Sequence, residues 1–169
     1  MLLCGIINEL KKSTTNILSF FFCQAADSRI NNATAVLRGL IYLLVKQQDS
    51  LISHIRDSYN AGGKPFEGEN AWWALSNVFD SIIQDSSLQN TYLIVDALDE
   101  CVTDLPRLLA LIVQKSSVSP RVKWIVSSRN WLIIEERLDT AIQKVTLRLE
   151  LNDKSISATI STYIKYQVN

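Results

Sequence analysis

The stretch TYLIVDALDEC, residues 91–101, constrains this chain more than any other. Its continuous apolar run from Tyr92 to Val95 predicts a strand buried on both faces, as in a parallel sheet, where a half-exposed strand would alternate. The run ends in Asp96, and Asp99 and Glu100 follow within four positions. Packing such acids together is unfavourable without a cation or partner nearby. One short segment thus points to a fold class and to a place where chemistry can be sought.

The remainder of the chain alternates between strand and helix. Leu2, Leu3, Ile6, Ile7 and Leu10 fall on one helical face, and ILSFFFC (17–23) predicts a first buried strand. Asn31 or Asn32 can cap the next helix, in which Ala33, Val36, Leu37, Leu40, Ile41 and Leu44 form one apolar stripe. Helices are expected over about 50–60 and 70–84, separated by the loop GGKPFEGEN, and Trp72 shares the apolar side of the second. Thr103 and Asp104, with Pro106 in the first turn, open another helix, with Leu105, Leu108, Leu109, Ile112 and Val113 on its stripe. VKWIVS (122–127) predicts a third strand, NWLIIEERLD a short helix, and KVTLRLEL (144–151) a fourth strand before a last helix capped by Asn152 or Asp153. This order predicts a mainly parallel sheet covered on both faces, with ligands beyond the carboxyl ends of the strands. Asp96 and the triplet Ser127-Ser128-Arg129 both fall at such ends.

Composition removes several function classes. The 169 residues suit one domain, 47% are apolar, and 17 basic residues balance 17 acidic ones. No whole-molecule field or basic stripe draws the chain to nucleic acid. His54 is the single histidine, which argues against a Ser-His-Asp triad and against His-rich zinc sites. Cys4, Cys23 and Cys101 are sparse and odd in number, which predicts reduced thiols rather than a disulfide framework. Cys101, beside Glu100, is either a redox handle or a small packed residue. No apolar run reaches the roughly 20 residues that span a bilayer. The expectation is a soluble, cytoplasmic protein.

A buried strand ending in Asp suits magnesium-dependent phosphoryl transfer. The strand fixes a carboxylate that orients the hydrated ion, and an acid in the following loop can position or deprotonate water. Asp96 fits the first role and Asp99 or Glu100 the second, although many strand-terminal aspartates only cap a turn. Arg129 can contact a terminal phosphate or form a salt bridge to the same acids. Trp131 is open to a base-stacking role.

TYLIVDALDEC followed by VKWIVSSRNW resembles the NACHT-type NTPases of the signal-transducing STAND class. The likeness is to the fungal, nephrocystin-like members linked to heterokaryon incompatibility and non-self recognition, and it covers nearly the whole chain. The resemblance implies a three-layer P-loop NTPase core over residues 1–169, with Asp96 as the Walker B aspartate for Mg²⁺. It further implies Asp99 and Glu100 as the acidic pair that supplies the water-orienting group, and Arg129 as the sensor residue. ATP/ADP or GTP is the implied nucleotide, switching a closed state to an open, oligomerising one.

A phosphate cradle needs G-x-x-x-x-G-K-[ST] between a strand and a helix. The only G-K pair here is Gly63-Lys64; Pro65 replaces the hydroxyl residue and Ser58 stands where the first glycine belongs. In the family, MLLCGIINEL is similar to the helix after the Walker A motif, so the expectation is a chain that starts just past it. The implied strand order is 5-1-4-3-2, with strand 1 absent and strands 4 and 5 left with open edges that invite self-association or a related NACHT protein. Low activity alone follows. The competing expectation is a non-catalytic α/β interaction module, and a receiver-like domain is a weaker third.

Overall fold

The structure, a computed structural model, describes residues 2–13, 15–60 and 65–141. The predicted strand at 144–151, the helix after it and the Gly63-Lys64 pair lie outside these residues.

Three parallel strands, β1 (Asn16–Phe22), β2 (Asn90–Asp96) and β3 (Val122–Val126), form one sheet in the order β1-β2-β3. The register sets Phe22 beside Asp96 and Val95 beside Val126, so the strands finish nearly level. Among the described residues six α-helices accompany them: α1 (Leu2–Leu10), α2 (Ala33–Gln47), α3 (Ile52–Asn60), α4 (Ala71–Gln84), α5 (Leu105–Lys115) and α6 (Leu132–Leu138). The α/β class and the parallel sheet predicted from the sequence are present, and the order matches that expected for core strands 2, 3 and 4.

The sheet separates two helical layers. Leu93 and Val95 of β2 face a core built with α2, α4 and α5, in which Leu37, Leu44, Phe79, Ile82, Leu108 and Ile112 are buried. Ile94 faces the other way, against Leu3 and Ile7 of α1. Every position of the predicted α2 stripe is buried, and Asn32 is its cap, accepting the Ala35 N–H at 2.8 Å. Trp72 packs into the core rather than standing free.

Gly39 sits in the middle of α2, where glycine costs about 1 kcal/mol relative to alanine. The Phe21 ring of β1 explains it. A Cβ on Gly39 would lie 2.5 Å from that ring, so any larger residue would force the ring or the helix to shift.

Some boundaries differ from the sequence expectation. The helix expected from residue 50 opens as a 3₁₀ turn, Asp49–Leu51, before α3 begins. Asp104 precedes α5 with φ 59° and makes no side-chain cap bond, because this chain segment turns through the left-handed region to pair Thr103 with Asn32. His54 is tied to Asp85 at 2.7 Å, which joins α3 to the end of α4.

On the outer edge of β1, the backbone of Leu18 is capped by a side chain. Gln47, at the end of α2, accepts the Leu18 N–H at 3.1 Å and donates to the Leu18 carbonyl at 2.8 Å. A neighbouring strand would satisfy the same two groups. Among the described residues, β3 has no strand on its outer side.

Candidate functional site

The ends of β2 and β3 are stitched together by the residues that the sequence singled out. After Asp96 the chain turns at Ala97, whose φ of 54° and ψ of 52° place it in the left-handed region. A single 3₁₀ turn, Leu98–Glu100, follows. Its first amide, Leu98 N–H, donates to the Ser127 carbonyl at 2.8 Å, and the Ser127 N–H donates to the Val95 carbonyl at 3.0 Å. The acidic loop is thereby folded back over the end of β3.

Asp96 is half-buried. Ser127 Oγ donates to its Oδ1 in a short hydrogen bond and itself accepts the Ala97 N–H at 3.0 Å. The other Asp96 oxygen has no protein donor among the described residues, so one carboxylate oxygen is fixed and one is available.

Asp99 is only 3% exposed. It accepts the Arg129 backbone N–H at 2.9 Å, Arg129 Nε at 2.5 Å and Ser128 Oγ at 3.3 Å. Burial pushes its carboxyl upward, but the Arg129 backbone and guanidinium donors outweigh this and hold it below the usual carboxylate range. Asp99 in turn raises the Arg129 guanidinium. The Arg129 side chain stays 68% exposed and lies over the Trp131 ring, 5.6 Å from its centre.

Glu100 points the other way. Its Oε2 accepts the Ala25 N–H at 3.0 Å, in the segment just beyond β1. The three acids therefore do not converge: Asp96 and Asp99 hold the β3 end, and Glu100 holds the β1 end. Among the described residues no three His, Cys, Asp or Glu side chains are grouped as a metal cage. A single free oxygen on Asp96 does fit Mg²⁺, which keeps most of its water and takes one or two carboxylates.

Ser127 and Ala25 were not assigned roles by the sequence. The strand-end position of Ser127 was the signal for the first; nothing in the sequence marks the second, because a backbone amide carries no residue code.

A parallel sheet between helical layers, with an aspartate at the end of one strand and a polar-arginine triplet at the end of its neighbour, defines a partial α/β core of NTPase-like architecture. The chain belongs to the family described as nephrocystin 3, N-terminal, whose model matches residues 1–129. It is also similar to the vegetative incompatibility protein HET-E-1 of Podospora anserina, with 64% identity over 171 residues. That match takes in the whole of this chain but 13% of the length of HET-E-1. No solved structure matches it. The fungal, nephrocystin-like resemblance drawn from DALDE and SSR agrees with both findings. No helix among the described residues is long and apolar enough to cross a membrane.

Proposed function

We propose that this chain is part of a nucleotide-switched signalling NTPase that acts in non-self recognition. The observation that carries the reading is the Asp96–Ser127 contact at the carboxyl end of β2, which holds one carboxylate oxygen and leaves the other without a protein donor among the described residues. Asp96 would hold hydrated Mg²⁺ there. The bound ion would neutralise phosphate charge, which is most of what phosphoryl transfer requires. Arg129, held at the rim by Asp99 and Trp131, keeps an exposed guanidinium for a phosphate oxygen. Glu100 is the acid left to orient water, on release of Ala25. The sequence holds no G-x-x-x-x-G-K-[ST] motif to cradle the phosphates, so the 169 residues are expected to hydrolyse little by themselves.

The test belongs in the full-length gene product, with Mg-nucleotide affinity and turnover measured together. Asp96→Ala should weaken Mg-nucleotide binding by about tenfold or more, the loss of roughly one charge-assisted contact. Glu100→Gln should spare binding and slow hydrolysis. Equal affinity in wild type and D96A sinks the metal role.

The second reading is a non-catalytic α/β module that self-associates or binds a related protein. It is favoured by one observation: Asp99 and Glu100 are both occupied in holding backbone segments. Association that proceeds identically with and without nucleotide would select it.

A further inference from the structure

A cavity of about 440 Å³ opens beside β1, where the segment after α1 and the last turns of α2 meet the strand. That volume lies in the range of sites for small organic molecules. Leu18, Phe20 and Leu43 give it an apolar lining. The Gln47 amide forms one wall, held by its two bonds to Leu18 and by a third, donated to the Leu43 carbonyl at 2.7 Å. This wall is therefore fixed by the protein itself. Ser13 and Asn16 add polar groups near the start of β1.

Two cations, Lys11 and Lys46, complete the lining, and no carboxylate among the described residues takes part in it. Lys11 Nζ lies 5.4 Å from the centre of the Phe20 ring and Lys46 Nζ 5.9 Å from that of Tyr42. Neither pairs with an acid among the described residues. Lys12, next in sequence to Lys11, is taken by Glu9 at 2.7 Å, and Lys115, Arg29, Arg107 and Arg129 each have an aspartate. Carbonyls at a helix end favour a nearby lysine, which accounts for where these two are attached. It does not account for two acid-free ammonium groups at one cavity with an apolar lining.

We propose that this cavity binds a small amphiphilic organic anion, a carboxylate or phosphate head on a short apolar chain. The chain lies along Leu18, Phe20 and Leu43, which removes apolar surface from water. The head meets Lys11 and Lys46, with Ser13 and Asn16 as neutral donors. Both parts are needed. Exposed ammonium groups alone hold a bare anion weakly, because water and salt screen them. The apolar lining alone does not fix an orientation; the few polar groups do that. Asn16 lies at the opposite end of β1 from Phe22, the residue beside Asp96, so the inference does not depend on the nucleotide reading.

The experiment is calorimetric titration of the full-length gene product with octanoate, with monooctyl phosphate, with acetate as a head lacking the chain, and with 1-octanol as a chain lacking the head. Saturable binding of octanoate or octyl phosphate is expected, the tighter of the two naming the head, with acetate and octanol each at least tenfold weaker. Lys11→Ala and Lys46→Ala should each weaken the octyl anion by about tenfold, the loss of one charge-assisted contact. Lys12→Ala is the control and should bind as wild type does. All three side chains are exposed, and matching melting temperatures check that the fold is kept. The inference is overturned if neither octyl anion binds at millimolar concentration, or if acetate or octanol binds as tightly. It is equally overturned if K11A and K46A bind like K12A, which would place the ligand elsewhere.

Discussion

Replacing Asp99 with alanine isolates what holds the acidic loop against β3. The carboxylate is almost fully buried and receives the Arg129 backbone N–H and guanidinium and the Ser128 hydroxyl. A hydrogen bond to a charged acceptor contributes about 1.5–3 kcal/mol, and a donor left unsatisfied in a part-buried place costs a similar amount. The guanidinium is exposed, so water screens its ion pair and that partner is left out of the figure. Asp99→Ala should then destabilise the fold by about 2–3 kcal/mol, chiefly through the orphaned Arg129 amide. At roughly 2–4 °C per kcal/mol for a chain of this size, the melting temperature falls by about 4–12 °C. Urea unfolding followed by circular dichroism measures it, with an unchanged denaturant slope as the check that the folded state is the same. Arg129→Gln keeps the amide and should lose clearly less. The pH dependence has a defined sign. A carboxyl depressed by folding stabilises above its unfolded value, near 4, and that stability is lost as pH falls through its folded value. Asp99→Ala should flatten the acid limb of the stability curve in that window. A loss in R129Q equal to that in D99A would refute the argument, because it would assign the effect to the exposed ion pair.

Two further substitutions probe how the sheet and the acidic turn are built. Gly39→Ala gains about 1 kcal/mol of helix propensity but drives a methyl into the Phe21 ring, at a cost of about 1–3 kcal/mol. A net loss near 1 kcal/mol is expected in thermal melts, and Phe21→Leu in the same chain should recover part of it, giving a non-additive cycle. Ala97→Gly removes the left-handed penalty of about 1–2 kcal/mol and adds back about 0.4–1 kcal/mol of unfolded-chain entropy. It should be neutral or mildly stabilising by chemical denaturation; a loss greater than about 1 kcal/mol would mean that the Ala97 methyl has a packing role.

What the sequence revealed follows from which interactions are local. The α2 stripe and the β2 run were legible because burial imposes a period of 3.6 or a continuous apolar segment on neighbouring residues. The strand ends and the placement of Asp96 and Arg129 beyond them were legible for the same reason. The bonds they make were not. Asp96 meets Ser127, and Asp99 meets Arg129, across about thirty residues, and no periodicity encodes such a pairing. Both readings of Arg129, phosphate contact and salt bridge, are compatible with its position, and the fold pairs it with Asp99. Ala97 concealed its turn because alanine, unlike glycine, gives no sign of a positive φ. The reason for Gly39 lies in its approach to the Phe21 ring, a contact between α2 and β1 that the α2 stripe does not encode.

The Gln47 contact on Leu18 gives the sheet a direction of growth. With Leu18 of β1 already bonded to an amide that imitates a strand, a strand joining the described sheet would have to displace Gln47 at β1 but no such side chain at β3. A unit with one adhesive side behaves unlike a unit with two. Two copies meeting β3 to β3 about a twofold axis would consume both adhesive sides and stop, whereas a fibril needs a second side on every copy to continue. Gln47 thus biases the described sheet against extension at Leu18, and a pairing that starts at β3 would tend to close at two copies.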